Sequence, residues 1–146
     1  MPNHCNNEVT LQCRTEEVAR VIKDHLAGKE SLFDFNSLMP EPLELLESTD
    51  DPAIQASRIA RYGHEDWSGW RSANWGTRWN SYECTLDDSG IRDGELQYSF
   101  LSAWGPPDGI CGKLKEYITA STRDIELSWF YYEPMNGIRG QLEEEV

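Results

Sequence analysis

No apolar run in this 146-residue chain approaches the roughly 18–20 residues that a membrane span requires. The opening Met1-Pro2-Asn3-His4-Cys5-Asn6-Asn7 lacks the basic and apolar regions of a secretion signal, so a cytoplasmic protein is expected. Basic residues are scarce: 13 Lys and Arg face 26 Asp and Glu, a net charge of 13 − 26 = −13. Contact with nucleic-acid backbone, which is driven by Lys and Arg, is therefore disfavoured. The four cysteines, Cys5, Cys13, Cys84 and Cys111, form no Cys-x-x-Cys pair, and their gaps of 8, 71 and 27 residues match no zinc spacing. Buried free thiols in a reducing compartment are expected instead. His4, His25 and His64 stand near no plausible nucleophile, and neither Gly-x-Ser-x-Gly nor a phosphate-binding glycine loop occurs. No catalytic residue, metal ligand or cofactor site follows from these patterns, and a non-enzymatic protein is expected.

The chain is nonetheless rich enough in apolar residues to fold. Hydrophobic residues make up 38% and aromatic residues 11%, with six Trp, which is too apolar for a disordered acidic tail. At this length a single domain can bury a core without metal or disulfide. Val9, Leu11 and Cys13 alternate with polar residues and predict a half-buried strand. Thr15 is a candidate N-cap, and Val18, Val21, Ile22 and Leu26 recur at helical spacing before Gly28. Leu32–Phe35 reads as a short extended piece. Asp51 and Pro52 then open a short helix whose apolar stripe is Ile54, Ile59 and Tyr62. Two alternating runs, around Tyr82–Leu86 and Leu96–Trp104, predict a hairpin. Ile110, Cys111, Leu114 and Ile118 predict a second amphipathic helix, and Asp124–Tyr132 a last strong strand, with a short edge strand near Ile138.

The order strand, helix, insertion, strand, strand, helix, strand indicates an α+β domain. Its expected form is the ferredoxin-like split β-α-β arrangement, an antiparallel sheet with helices on one face. One domain spans 1–146, with an inserted helical and loop segment at about 31–80.

Two features stand out for binding. The segment Trp67–Trp79 holds four Trp in thirteen residues together with Arg71 and Arg78, and no acid. Trp is often structural, but Trp75, Arg78, Trp79 and Trp104 could also form an aromatic anchor or pocket. The acids are clustered: Glu41, Glu44, Glu47, Asp50 and Asp51 form one group, Asp87, Asp88, Asp93 and Glu95 a second, and Glu143–Glu145 a third. Segment 41–66 alone carries seven acids and two bases, a net of −5.

Several stretches resemble the YubB-type ferredoxin-like family. They are Met1–Thr10, Leu32-Phe33-Asp34-Phe35-Asn36 with Met39-Pro40, Asn74-Trp75-Gly76-Thr77-Arg78-Trp79, Ala103-Trp104-Gly105-Pro106-Pro107, and Tyr132-Glu133-Pro134 with Gly137 and Gly140. They run in order along nearly the whole chain. His4 stands where the family has Trp, and the Glu133–Gly137 stretch is less glycine-rich. The resemblance implies a ferredoxin-like fold and a place among accessory proteins of phages and conjugative plasmids.

Taken with the charge, these features lead to the expectation of an acidic binding protein. Its partner would be a basic surface of a host protein complex, such as a CRISPR effector or restriction enzyme, with no direct contact to nucleic acid or membrane. The alternative is a protein that binds or sequesters a nucleotide-like ligand in a pocket of Trp75, Arg78, Trp79 and Trp104.

Overall fold

A computed structural model describes residues 3–120 and 124–142. Strand β1 (His4–Gln12) and helix α1 (Glu16–Leu26) come first, joined at Thr15, whose hydroxyl accepts the Val18 amide at 3.2 Å. Ala19, Ile22 and Leu26 form the buried stripe of α1, while Val21 is exposed. Helix α2 (Phe35–Leu38), a 3-10 turn (Leu43–Leu46), α3 (Pro52–Tyr62) and α4 (Trp67–Asn74) fill the segment before β2 (Tyr82–Asp87). Strand β3 (Glu95–Ala103), helix α5 (Asp108–Ala120), β4 (Glu126–Glu133) and β5 (Ile138–Gln141) complete the order.

The five strands form one antiparallel sheet in the order β2-β3-β1-β4-β5. The fold is thus α+β, and β1 is central, paired to β3 on one side and β4 on the other. Because side chains alternate along a strand, this register puts Cys5, Asn7, Val9 and Leu11 beside Leu96, Tyr98, Phe100 and Trp129 on one buried face. Ile110, Cys111, Leu114 and Ile118 of α5 pack into the same core, as their spacing predicts. Phe33 sits at its centre, in ring contact with Phe35, Tyr98, Phe100 and Trp129. Of the four cysteines, Cys5, Cys13 and Cys111 are buried and Cys84 is half-buried.

The segment 31–80 departs from expectation in three ways. Phe33 and Phe35 are both buried, as alternation suggests, but they lie in a turn and a short helix, not a strand. Asp34 decides this: its carboxylate caps α2 through the Asn36 amide at 2.9 Å and bends the chain. The segment carries α2, α3, α4 and a 3-10 turn rather than one short helix, and Phe33, Phe35, Leu45, Trp70 and Trp75 all belong to the core. In α3 the expected stripe holds only at Tyr62, which packs against the core. Ile54 and Ile59 are exposed, and Arg58 is the helix's buried residue.

No helix among the described residues is long and apolar enough to cross a membrane. They also hold no group of three or more His, Cys, Asp or Glu able to bind a metal.

Candidate interaction face

The core-side helices leave the opposite face of the sheet bare. The alternate register puts His4, Asn6, Glu8, Thr10 and Gln12 of β1 on that face, with Glu95, Gln97, Ser99 and Leu101 of β3. Strand β4 adds Glu126, Ser128, Phe130 and Tyr132, and β5 adds Arg139 and Gln141. Thr85 and Asp87 of β2 pair with Ser99 and Gln97 and so share this face. Its carboxylates are Glu8, Asp87, Glu95 and Glu126, against the single guanidinium of Arg139, which stacks on Tyr132 at 4.9 Å. Phe130 and Tyr132 are exposed there and line a shallow depression of about 390 Å³ with Arg139 and Gln141.

At one end the face rises into an aromatic cluster. A bulge between Tyr82 and Thr85, with Glu83 at φ 50°, inserts one residue and brings Tyr82 onto the open side opposite Leu101. The Tyr82 hydroxyl and His4 Nδ1 share a hydrogen bond of 2.6 Å. Partial burial, Glu83 and Cys5 raise the Tyr82 pKa, so the phenol stays neutral. Its ring meets Trp79 edge-on at 5.8 Å, Trp79 meets Trp104 at 6.1 Å, and the Arg78 guanidinium lies 5.7 Å from the Trp104 ring. Trp79 and Trp104 are 38% and 44% exposed, which leaves broad indole faces available.

Trp104 is held in a left-handed conformation, φ 65°, that a bulky side chain rarely adopts. The surroundings enforce it. Its amide donates to the Asn3 carbonyl at 2.7 Å, and the buried Thr77 hydroxyl donates to Ala103 O at 2.8 Å. The Ser102 hydroxyl donates to Gly105 O at 2.6 Å and accepts from the Asn7 amide at 2.8 Å. Asn7 in turn accepts from the Trp129 indole at 3.0 Å, which ties the turn to the core.

The four residues expected as one aromatic site separate. Arg78, Trp79 and Trp104 come together at the surface, but Trp75 is fully buried and its indole N–H donates to Met39 O at 2.8 Å. Helix α4 turns Trp70 and Trp75 inward, and the chain leaves the helix before Trp79. Arg71 anchors this arrangement, lying 4.8 Å from both the Trp67 and Trp75 rings and donating to Arg78 O at 3.1 Å.

The acidic groups are also redistributed. Glu41 is buried against Arg71 and presents no free charge, which removes it from any docking surface. Glu44 pairs with Arg61, and Asp51 caps α3 through the Ala53 amide. Asp88 pairs with Lys23 at 2.7 Å, and Asp87 accepts from the Ser89 hydroxyl and amide; in each case the carboxyl pKa is lowered, first by the side-chain hydrogen bond. Glu47, Asp50 and Asp93 are exposed, Glu95 is half-buried, and Glu143–Glu145 lie outside the described residues. The second group runs onto the open face through Asp87 and Glu95, whereas the first lies around α3. Glu8, Glu126, Phe130, Tyr132 and Tyr82 complete the face and were missed. Each stands at an outward position of an alternating strand, a signal indistinguishable from ordinary solvation. Burial pushes the Cys5 and Cys84 thiols up, so neither forms a ready thiolate nucleophile.

No protein-family model, curated protein or solved structure matches the chain.

Proposed function

We propose that this chain is a non-enzymatic binding protein whose open sheet face docks on a basic surface of a protein partner. The observation that carries this reading is Trp104, an exposed indole fixed at positive φ beside Trp79. Glycine would make the same turn without strain. A bulky aromatic kept there, with the backbone of residues 103–105 pinned at each position, fits a role outside folding. Preorganised Trp faces are the usual anchors of protein interfaces, and the carboxylates of Glu8, Asp87, Glu95 and Glu126 along the same face suit a cationic partner.

The strand order β4-β1-β3-β2, with α1 and α5 after β1 and β3, supports a ferredoxin-like fold extended by β5. With the motif resemblance, it supports membership of the YubB-type family carried by phages and conjugative plasmids. In that setting the partner is a nucleic-acid-dependent host defence complex, a CRISPR effector or restriction enzyme in the bacterial cytoplasm. Occluding its basic groove would inhibit it without the chain touching nucleic acid.

The test is recovery of partners from a bacterial lysate on the tagged protein at low and high salt. The expected result is a nucleic-acid-binding complex held at low salt, released at high salt, and lost with Glu8→Lys/Glu126→Lys and with Trp104→Gly. Retention by both variants would place the interface elsewhere. One contact favours a second reading: Arg78 over Trp104 could cover a stacked nucleotide-like ligand. That ligand would raise the melting temperature, whereas the docking reading expects no shift with nucleotides.

A further inference from the structure

Gln55, Arg58 and Tyr62, at helical positions i, i+3 and i+7, hold α3 to the rest of the chain. Gln55 donates to Thr49 O at 3.0 Å, and Arg58 donates to the carbonyls of Glu47 at 2.9 Å and Glu65 at 3.3 Å. Tyr62 donates to the Glu44 carboxylate at 3.1 Å and packs against the core. The other side of α3 turns to solvent. Ile54 and Ile59 are 41% and 51% exposed on its two flanks, and Ala53, Ala56, Ser57 and Ala60 lie exposed between them.

Charge is ordered along this helix. Asp50 and Asp51 precede it, whereas Pro52–Tyr62 holds two arginines and no acid. Asp51 is spent on the Ala53 cap, but Asp50 is exposed and makes no ion pair among the described residues. At the other end the Arg61 side chain stays 54% exposed while it holds Glu44. An acidic start and a basic end complement themselves when two such helices pack antiparallel about a twofold axis. At 100° and 1.5 Å per residue, an axis between Ala56 and Ser57 sets Asp50 of one copy within about 3 Å, along the helices, of Arg61 of the other. Both then lie on the same side of the pair. The same operation lays Ile54 between Ser57 and Arg61 of the second copy, and Ile59 between Pro52 and Ala56. The short side chains at the centre allow an interaxial distance of about 8 Å. Elsewhere two copies of a chain of net charge −13 repel, so this acid-free stretch is where they can meet, and the association is weak.

We infer that α3 is a self-association surface: two copies of this chain pair through antiparallel α3 helices, with Ile54 and Ile59 at the contact and Asp50 against Arg61 across it. The partner is a second copy because the order of charge and the flanking isoleucines match themselves under the twofold axis. No residue of the open sheet face takes part, so the test stands apart from the docking reading.

Sedimentation velocity of the full chain from roughly 1 μM to 1 mM tests this, the range in which a small interface dissociates. The expected result is a reversible monomer–dimer equilibrium. Ser57→Glu, at an exposed position, sets two carboxylates at the axis and leaves a monomer. Asp50→Arg weakens the dimer at least about threefold, and the swap Asp50→Arg/Arg61→Asp restores it. Should the swap fail to fold, oxidative crosslinking carries the test. Ser57→Cys lies level with its symmetry mate and forms a covalent dimer, whereas Ala60→Cys stands roughly 10 Å from its mate along the helices and does not. The unaltered chain, whose Cys84 is half-buried, sets the background. A chain that stays monomeric throughout, a dimer indifferent to Ser57→Glu, a folded swap as weak as Asp50→Arg, or equal crosslinking at the two positions overturns the proposal.

Discussion

Arg71 holds Glu41 through two parallel hydrogen bonds of 2.6 and 2.7 Å, with side chains only 14% and 6% exposed. The pair joins α4 to the chain that follows α2, and it is the most buried ion pair among the described residues. Removing one partner strands the other charge. Glu41→Ala is therefore expected to destabilise the fold by about 3–5 kcal/mol, measured by urea denaturation. The double change Glu41→Leu/Arg71→Met should cost less than Glu41→Ala alone, because it leaves no orphaned charge. Equal losses would show that packing, not charge, sets the effect.

Tyr98 gives a pH prediction. It is 1% exposed, its hydroxyl has no hydrogen-bond partner among the described residues, and burial raises its pKa above the usual 10.0. A phenol whose pKa is raised by folding contributes stability that is full below the unfolded value, about 10, and is lost as pH rises through the folded value. The buried Cys5 thiol, also raised, acts in the same direction from about pH 9. Urea midpoints should thus fall on the alkaline side. Tyr98→Phe should flatten that limb and stabilise the neutral-pH fold by up to about 1–3 kcal/mol, the penalty of an unpaired buried hydroxyl. A steeper alkaline limb in Tyr98→Phe would contradict this.

Much of the fold was legible because its main elements bury one face at a regular period. Strands β1, β3 and β4 and helix α5 follow from alternation or helical spacing alone, and Thr15 and Asp51 cap where expected. The segment 31–80 was not legible in this way. Leu32–Phe35 alternates like a strand, yet a single Asp34 cap turns it into a helix start. In α3 Ile54 and Ile59 point outward and an arginine points inward, which defeats the signal that periodicity measures. Trp75 and Trp79, four positions apart, differ in fate because Trp75 caps α4 while still on the helical path, whereas Gly76, at φ 91°, turns the chain away before Trp79. The open face was unreadable because outward strand positions carry the same residues whether they bind or merely dissolve.

Trp75 and Trp104 should respond oppositely to replacement. Trp75→Ala opens a core cavity and is expected to cost about 3–5 kcal/mol. Trp104→Gly relieves the left-handed backbone, and should be about 1–2 kcal/mol more stable than Trp104→Ala, which retains the Cβ. Thermal melts of the three variants measure both. Equal stability of Trp104→Gly and Trp104→Ala would mean that the backbone relaxes out of this conformation.

Asn7 links the core to the Trp104 turn. Asn7→Leu leaves the Trp129 indole N–H and the Ser102 hydroxyl without their buried partner, with an expected loss of about 1–3 kcal/mol. Near-ultraviolet circular dichroism should also show altered tryptophan signals, because the contact runs directly to Trp129. An unchanged spectrum with full stability would remove Asn7 from this role.

Strand β1 is the sheet's centre, yet both of its neighbours lie far along the chain, at Glu95–Ala103 and Glu126–Glu133. During synthesis at roughly 5–20 residues per second, β1 waits on the order of 5–25 seconds after its own translation before β4 can pair with it. Until β3 emerges both backbone edges of β1 are unpaired, and until β4 emerges one of them stays so. The nascent chain is thus exposed to holdase chaperones and to aggregation, and the sheet closes late, after local helices have formed. Slow codons between β3 and β4 should accordingly lower soluble yield without altering the purified protein.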